Sequence, residues 1–324
     1  MSRLSYLRRR LTQIVPTILG IITINFIILH LAPGDVADVL AGQSGSATAE
    51  YMQQLRTNFG LDQPLYVQYA KFIWRILHFD LGISQRFNMP VLDLILARLP
   101  VTATLMLSSM AIALVLGVLL GVLAARYVDT PVDWAISVLG LAAYSVPTFW
   151  LAQMLVLAFA IKLGWLPTGS FETLGVDRSG FGYVLDIARH MALPIAVLAS
   201  FYLAVYARLT RASMLEVYEL DFVRTARAKG ISSKAITLRH VLRNALLPVV
   251  TMAGLQIGSL LGGAVVVEQV FSLPGIGRLA FEAVSQRDFN LLLSTLLLSS
   301  ILVIAVNLAV DFIYGMIDPR IEFR

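Results

Sequence analysis

The sequence predicts an all-α polytopic membrane protein with six transmembrane helices, and three observations support this fold class. Hydrophobic residues make up 58% of the 324 residues. Charged residues make up only 14%, whereas soluble domains average about 25%. Six long apolar runs also contain no Asp, Glu, Lys or Arg. A chain with this composition is predicted to cross a lipid bilayer several times.

The six apolar runs match the thickness of the hydrocarbon core, which a helix of about 20 residues spans. They are Leu11–Pro33, Leu99–Ala125, Trp134–Ile161, Met191–Ala207, Asn244–Val267 and Phe289–Val310. Backbone that faces lipid must satisfy its own hydrogen bonds, so each run is predicted to be a helix. The first run is long and ends in HLAPGD without a small-x-small cleavage pattern. It is therefore predicted to be a retained span rather than a signal peptide.

Basic residues predict the orientation of the spans. Fifteen of the 25 Lys and Arg residues fall before the first run or after the second, fourth and sixth runs. Loops rich in Lys and Arg stay in the cytoplasm, so both termini are predicted to be cytoplasmic. The net charge of +5 is explained by the same retention and indicates no nucleic-acid partner.

The spans divide the chain into three regions. Residues 1–33 form the N-terminal region and first span, and residues 34–98 form an external segment with amphipathic helices near Ala49–Phe59 and Pro64–Phe79. Residues 99–324 form a five-helix core, which includes a cytoplasmic loop at 208–243. Two shorter external loops are predicted at Lys162–His190 and Glu268–Asp288.

The cytoplasmic loop contains the stretch DFVRTARAKG, Asp221 to Gly230. Asp221 is expected to cap a helix over Phe222–Lys229, and Gly230 suits the left-handed position that ends a helix. Ser232 or Ser233 is expected to begin the next helix. Ala226 and Ala228 leave a low profile, against which another backbone can approach closely. By itself, the pattern is also that of a solvated loop.

The third external loop contains FSLPGIGR, Phe271 to Arg278. Its proline and two glycines predict a compact turn. Its apolar side chains are expected to be buried beneath a partner, and Arg278 adds a charge that a docked protein or an acidic substrate could read. The alternative is a passive connector between spans five and six.

Polar residues inside the apolar runs are candidates for lining a transport pathway. Pro147 removes a helix hydrogen bond and is expected to kink the third span. The same polar side chains can instead join helices by hydrogen bonds. Gly117 and Gly121 form a G-x-x-x-G pair, which predicts close helix packing. The pathway candidates are Asn25, Tyr144, Ser145, Pro147, Thr148, Gln153, Gln256 and Asn307.

No catalytic or metal site is predicted. The chain has no cysteine, and its four histidines are far apart and form no H-x-x-x-H pair. No G-x-x-x-x-G-K-[ST] motif is present, so no loop for nucleotide phosphates is predicted. An ion-coupled secondary transporter would usually place ionisable residues inside its spans. That class and an intramembrane enzyme are therefore the weaker alternatives.

Several motifs carry a resemblance to a known family. RTARAKG followed by RHVLRNALLPVV, Arg239 to Val250, resembles the cytoplasmic EAA-type loop of ATP-binding-cassette (ABC) importer permeases. Other segments resemble the first permease subunit of the dipeptide, oligopeptide and nickel family. They are LRRRLTQIVPTILGI, HLAPGD, DLGIS, YSVPTFW, FSLPGIGRL and DPRIEF. Arg224-Thr225-Ala226 stand where the general importer motif has Glu-Ala-Ala, and Leu247-Pro248 lies further from Gly230 than in that motif. Both departures are compatible with the peptide subfamily.

The resemblance implies a type I ABC importer permease fold and assigns roles to two segments. One cytoplasmic helix would dock on an ATPase subunit through Asp221, Phe222, Arg224, Thr225, Ala226, Arg227, Ala228, Lys229 and Gly230. The external gate would consist of Phe271, Leu273, Pro274, Gly275, Ile276, Gly277 and Arg278.

The resemblance also implies the partners of the chain. They would be a second, homologous permease subunit, two ATPase subunits and an external substrate-binding protein at a bacterial inner membrane. ATP and Mg would bind to the ATPases, and no cofactor would bind to this chain. The expected cargo is a dipeptide or oligopeptide, with nickel, glutathione and an opine-like solute as open alternatives.

Overall fold

A computed structural model describes residues 3–31, 48–58, 61–84, 86–173, 175–176 and 179–317. The last four residues of HLAPGD and the whole of DPRIEF lie outside these residues. The chain divides into two compact units. The first consists of residues 1–97, 279–305 and 320–324, and the second of residues 98–278 and 306–319. The predicted division at residues 33 and 98 stays a prediction.

The first unit contains helices α1 (Arg3–Leu31), α2 (Ala49–Asn58) and α3 (Leu65–Leu77). Strands β1 (Ile83–Ser84) and β2 (Met89–Pro90) form a short antiparallel hairpin, in which Ser84 pairs with Met89. The two amphipathic helices expected in the external segment are thus present. Helix α3 begins directly after Pro64, whose fixed φ suits the start of a helix.

Helix α3 packs along α1 by aromatic and polar contacts. The hydroxyl groups of Tyr69 and Thr23 lie 2.6 Å apart. The Phe26 ring lies 5.1 Å from the Tyr69 ring and 5.7 Å from the Phe72 ring. Because Thr23 and Phe26 lie within the apolar part of α1, α3 contacts a membrane-crossing segment rather than projecting away from it.

The Asp80 carboxylate stabilises the conformation of the DLGIS segment, Asp80 to Ser84. Asp80 accepts hydrogen bonds from Arg75 Nε at 2.9 Å and from the Gly82 amide at 2.9 Å. The Arg75 guanidinium lowers the pKa of the Asp80 carboxyl. Gly82 has φ +78°, a conformation that glycine adopts without strain.

The hairpin is tied to the start of helix α11 (Phe289–Ile317). Asp288 caps α11 by accepting from the Leu291 amide at 3.0 Å, and its other oxygen accepts from Ser84 Oγ at 2.6 Å. The Asn290 side-chain amide donates to the Leu81 carbonyl at 3.1 Å. A single helix start therefore holds the hairpin of the first unit.

The second unit contains the remaining helices, and their bounds follow. They are α4 (Val91–Arg126), which begins in the first unit, α5 (Pro131–Ser145), α6 (Thr148–Lys162), α7 (Phe181–Tyr218), α8 (Asp221–Ala228), α9 (Ser233–Val270) and α10 (Ile276–Ser285), which ends in the first unit. Helix α7 packs against both α5 and α9, and its buried Met191, Tyr202 and Tyr206 lie in the core.

The predicted close packing at Gly117 and Gly121 is confirmed. Both glycines of α4 face α7, where a Cβ on Gly117 would lie 2.7 Å from Tyr206 Cβ. A Cβ on Gly121 would lie 2.5 Å from Thr210 Cβ. These distances are too short for any side chain, so the glycines set how closely α4 and α7 approach.

Five described helices are long and apolar enough to cross a membrane, and α5 with α6 supplies a sixth crossing if this bent pair is one span. The predicted kink at Pro147 is confirmed, because α5 and α6 meet at 104°. Val146 and Pro147 have ψ values of 129° and 130°, so neither is helical. A residue before proline is driven toward extended backbone, and this explains why α5 ends there.

The helix of the fourth span extends beyond its apolar run at both ends. The charge-free run covers Met191–Ala207, whereas α7 extends from Phe181 to Tyr218 over 38 residues. Its first turns therefore occupy part of the segment predicted as the loop Lys162–His190. Charged residues end an apolar run, but Arg, Glu, Leu and Ala remain good helix formers outside lipid.

Candidate functional site

Helix α8 lies in the predicted cytoplasmic loop and begins one residue earlier than expected. Leu220, with φ −70° and ψ 146°, occupies the cap position, and Asp221 is already helical. The prediction that Asp221 caps the helix was therefore wrong. Asp221 Oδ1 instead lies 3.5 Å from Arg224 Nη1. The negative charge of Asp221 in the first turn is stabilised by the positive end of the helix dipole. The next helix begins as predicted, because Ser232 accepts from the Ala235 amide at 3.4 Å.

The end of α8 is a Schellman motif. Gly230 has φ +74° and donates from its amide to the Arg227 carbonyl at 3.0 Å. The Ile231 amide donates to the Ala226 carbonyl at 3.3 Å. The predicted left-handed glycine is thus confirmed. Because the bonds close the last turn, the position of α8 relative to α9 is well defined.

One face of α8 is buried against the membrane helices of the same unit. Val223 is fully buried, and Ala226 follows three residues later on the same face. Both belong to an apolar cluster with side chains of α4, α7 and α9, namely Ala125, Met214, Ile236, Val241 and Ala245. Ala226 therefore contacts this chain's own core, and the prediction that it offers a low profile to a partner was wrong. Ala228 is exposed.

The opposite face of α8 is exposed and combines charge with one aromatic ring. Phe222 is 41% exposed although it is large and apolar. Asp221, Arg224, Arg227 and Lys229 are exposed beside it. An exposed aromatic side chain within a charged rim is typical of a protein-binding surface. Thr225 is also exposed, but its hydroxyl donates to the Asp221 carbonyl at 3.0 Å.

The predicted gate follows α9, and its structure differs from the expected loop. The segment between α9 and α10, residues 271–275, is called the outer turn here; α10 already begins at Ile276. The positive φ of the outer turn falls on Ser272, at 53°, rather than on a glycine. The turn closes when the Leu273 amide donates to the Glu268 carbonyl at 2.9 Å.

The apolar side chains of the predicted gate are covered by this chain itself. Phe271, Leu273 and Ile276 are 1%, 0% and 3% exposed. Phe271 and Leu273 belong to the core of the second unit. The expectation that a partner buries them was therefore wrong. Pro274 and Arg278 are partly exposed and are the gate residues that remain accessible.

The predicted loop Lys162–His190 supports the outer turn, a contact that the sequence did not predict. The Ser170 amide donates to the Phe271 carbonyl at 2.9 Å. A Cβ on Gly169 would lie 2.4 Å from the same oxygen, so this position needs glycine. The sequence PTGS at residues 167–170 was the available signal, because a Gly-Ser pair after proline predicts a turn.

The pathway candidates fall into different places. Tyr144, Ser145, Pro147 and Thr148 gather at the break between α5 and α6, and the Tyr144 ring stacks on Phe201 at 4.7 Å. Ser145 Oγ donates to the Leu141 carbonyl at 2.8 Å, as in an ordinary helix.

The other candidates are separate from this break. Asn25 is buried in the first unit, where its amide donates to the Leu293 carbonyl at 3.4 Å. Asn307 and Gln153 are exposed. Gln256 Oε1 is buried and has no hydrogen-bond partner among the described residues. Which of these residues line a pathway stays a prediction.

An ion pair between the buried Asp133 and the partly exposed Arg211 joins α5 to α7. Asp133 accepts from Arg211 Nε at 2.6 Å and from Arg211 Nη2 at 2.7 Å, and the Asp129 amide donates to it at 3.1 Å. Asp133 is only 5% exposed. The charge-free runs gave no sign of this pair, because Asp133 lies one residue before the third run. Both residues belong to segments that are predicted to face the cytoplasm, which was the usable signal.

The described residues contain no group of three or more His, Asp or Glu side chains that could hold a metal ion. The two segments with unusual surfaces or packing are thus the exposed face of α8 and the outer turn.

Comparisons with known proteins agree with this architecture. The family model described as the binding-protein-dependent transport system inner membrane component matches residues 117–323, and its N-terminal companion matches residues 3–106. A methionine ABC transporter, MetNI, solved in inward-facing conformations, has a TM-score of 0.56 at 18% identity. The match covers 73% of this chain and 100% of that chain. This likeness confirms the predicted ABC permease fold, whereas the orientation of the termini stays a prediction.

Curated relatives cover the whole chain. The oligopeptide transport system permease protein AppB of Bacillus subtilis (strain 168) is 39% identical over 98% of this chain and 99% of its own length. The di/tripeptide transport system permease protein DppB of Pseudomonas aeruginosa (strain UCBPP-PA14) is 40% identical, and the dipeptide transport system permease protein DppB of Escherichia coli (strain K12) is 38% identical. Each of these two matches covers 99% of both chains. The chain therefore belongs to the family of binding-protein-dependent transport system inner membrane components.

Proposed function

We propose that this chain is a permease subunit of a peptide-importing ABC transporter and forms half of its translocation pathway. A second, homologous permease subunit would supply the other half. Two ATPase subunits would dock on the cytoplasmic side, and an external binding protein would deliver the cargo. The observation that carries the proposal is the two-faced helix α8, which has one exposed face and one face buried against three membrane helices.

The structure of α8 suits transmission of force. Val223 and Ala226 lie in one apolar cluster with side chains of α4, α7 and α9. A displacement of α8 by an ATPase would therefore move these helices rather than a loose loop. Closely packed interfaces transmit such shifts as rigid-body movements. The Schellman closure at Gly230 adds stiffness at the junction with α9.

The cargo is proposed to be a peptide because the relatives of full length are named for oligopeptide, di/tripeptide and dipeptide transport. Nickel, glutathione and an opine-like solute stay alternatives for the same machinery. ATP and Mg would bind to the ATPase subunits, since this sequence has no loop of the type that cradles nucleotide phosphates. The chain itself is proposed to be non-catalytic.

Docking through α8 is tested by Phe222→Glu in the assembled transporter. Phe222 is 41% exposed and lies outside the apolar cluster of Val223 and Ala226, so its replacement should leave the membrane helices folded. Burying a new charge at a docking surface should weaken retention of the ATPase about tenfold or more. The measurements are co-purification of the ATPase and uptake of a labelled dipeptide in cells.

The matched control is Lys234→Ala, an exposed change in the same predicted cytoplasmic loop but outside α8. It should leave both measurements unchanged. Normal uptake together with normal ATPase retention in Phe222→Glu would refute the docking role. If Phe222→Glu loses the ATPase but the unaltered transporter takes up no peptide, the docking role is supported and the peptide assignment is overturned.

A further inference from the structure

Glu268, near the end of α9, is a carboxylate fully buried within an apolar unit. None of its surface is exposed. An isolated buried charge is strongly unfavourable, and native structures retain one only where hydrogen bonds and opposite charge compensate it. The surroundings of Glu268 must therefore supply that compensation.

Every described hydrogen-bond partner of the Glu268 carboxylate is a donor. Thr102 Oγ1 donates to Oε1 at 2.6 Å, and the Arg278 amide donates to Oε2 at 2.9 Å. The Gly277 amide also donates to the carboxylate, and the positive charge of Arg98 acts favourably on it. The proton of Thr102 is directed toward Glu268, because the same hydroxyl accepts from the Ile276 amide at 2.8 Å. The donors thus form one continuous network.

These donors include the first amides of α10, which begins at Ile276. The first amides of a helix have no partner within the helix and carry its positive dipole end. Glu268 and Thr102 satisfy the amides of Ile276, Gly277 and Arg278. One carboxylate from α9 and one hydroxyl from α4 therefore cap the start of α10.

The glycines beside Glu268 serve close approach rather than turn geometry. A Cβ on Gly275 would lie 2.2 Å from Cδ of Glu268. A Cβ on Gly277 would lie 2.7 Å from Val265 Cα and 3.0 Å from Glu268 Oε2. The carboxylate occupies the space that side chains would need, so the Pro-Gly-Ile-Gly sequence is shaped around Glu268.

We propose that Glu268 is a positioning residue that locks the outer turn and the first turn of α10 onto α4 and α9. These parts then move as one body, so the entrance opens when the helices move rather than when the outer turn swings alone. The consequence for transport depends on the proposed importer function, but the locked geometry does not.

The first test uses Glu268→Gln and Thr102→Val in the complex with its ATPases, with Thr102→Ser as the matched control. Gln places amide hydrogens against donors, and Val removes the hydroxyl at similar size, whereas Ser retains it. The readout is the ratio of ATP hydrolysis with binding protein and dialanine to basal hydrolysis. We expect this ratio to fall about tenfold in Glu268→Gln and in Thr102→Val and to stay within about twofold in Thr102→Ser.

The double variant Glu268→Gln with Thr102→Val separates positioning from general loss of stability. If both side chains act through one bond, the double variant is no worse than either single variant. Full additivity of the two losses, or an unchanged ratio in Glu268→Gln, would overturn the proposal.

The second test leaves Glu268 unchanged and measures a distance rather than ATP hydrolysis. The chain contains no cysteine, so a Pro100→Cys and Ser272→Cys variant carries spin labels only at these two positions. Pro100 of α4 and Ser272 of the outer turn are both exposed. We expect the same label distance in the resting transporter and in the transporter trapped with ATP and vanadate. A distance that changes between these states would show that the turn swings alone and would refute the lock. A constant distance in a transporter that dialanine does not stimulate would support the lock and count only against the peptide assignment.

Discussion

Buried carboxylates determine how several helices of the second unit are joined. Glu268 connects α9 with α4 and the start of α10, and Asp133 connects α5 with α7. Asp133 accepts hydrogen bonds from the Arg211 guanidinium, and Glu268 accepts them from the Thr102 hydroxyl and the Arg278 amide. Removing one partner leaves a buried polar group without compensation. The free-energy cost of that change exceeds the net stabilisation that the intact contact provides.

The ion pair between Asp133 and Arg211 leads to a residue-scale prediction. Asp133→Asn should lower the stability of the chain by roughly 1–3 kcal/mol, because the Arg211 guanidinium loses its charged acceptor. Arg211→Lys should lower it as well, since Lys cannot form the bidentate contact. The measurement is thermal unfolding of the purified transporter in detergent.

Asp129→Asn is the matched control for this pair. Asp129 is exposed and has φ +60°, a conformation that Asn tolerates. It contacts Asp133 through its backbone amide, which the change preserves. If Asp133→Asn unfolds at the same temperature as Asp129→Asn, the pair does not stabilise the contact between α5 and α7.

At the scale of elements, α8 and the outer turn share one design. Each is a short segment with one apolar side buried by the chain's own helices, Val223 and Ala226 in α8 and Phe271 and Leu273 in the outer turn, while its other side remains accessible. Such segments are held in place by the core rather than by a partner. A partner that binds the accessible side meets a surface that is already formed.

The buried side chain of Leu273 gives a prediction at this scale. Leu273→Ala should destabilise the second unit by about 2–5 kcal/mol, because it removes a fully buried side chain from a packed core. The measurement is the unfolding temperature of the purified transporter. A flexible connector, by contrast, would tolerate this change.

Ser272→Asn is the matched control, because Ser272 is exposed and has φ 53°. Asn accepts this left-handed conformation, so its unfolding temperature should equal that of the unaltered chain. An equal unfolding temperature for Leu273→Ala would contradict the burial of the outer turn. Because Leu273 is part of the core, replacing residues 273–277 by a flexible Gly/Ser segment would also destabilise the fold. Such a replacement could not show whether the outer turn acts as a gate.

At the scale of the whole molecule, the number of crossings depends on α5 and α6. Five described helices can span the membrane alone, and this bent pair decides between five and six crossings. Six crossings place both termini on the same side, whereas five place them on opposite sides. The excess of Lys and Arg favours cytoplasmic termini.

Reporter fusions test this topology directly. Fusions at Arg10 and Arg324 should both report a cytoplasmic location, and a fusion at Gly175, in the loop after α6, should report an external one. The physical reason is that the segments richest in Lys and Arg remain in the cytoplasm. A cytoplasmic Gly175 or an external C-terminus would mean that α5 and α6 enter and leave on one side.

The sequence by itself determined the membrane class, the places of the crossings and the local chemistry of helix ends. Those features are decided segment by segment, because lipid selects apolar residues along each helix regardless of its neighbours. Gly230 was predictable for the same reason, since a left-handed helix end is a local backbone requirement. The break at Pro147 was also local in origin, although its angle of 104° was not predictable from the sequence.

The tertiary structure alone decided which side chains face one another. Thr102 and Glu268 are 166 positions apart, and Asp133 and Arg211 are 78 apart. Ala226 and Leu273 were expected to face a partner, yet both pack into this chain's own core. A short segment can expose either face, and the face that is buried depends on the packing of helices distant in sequence, which no local pattern encodes.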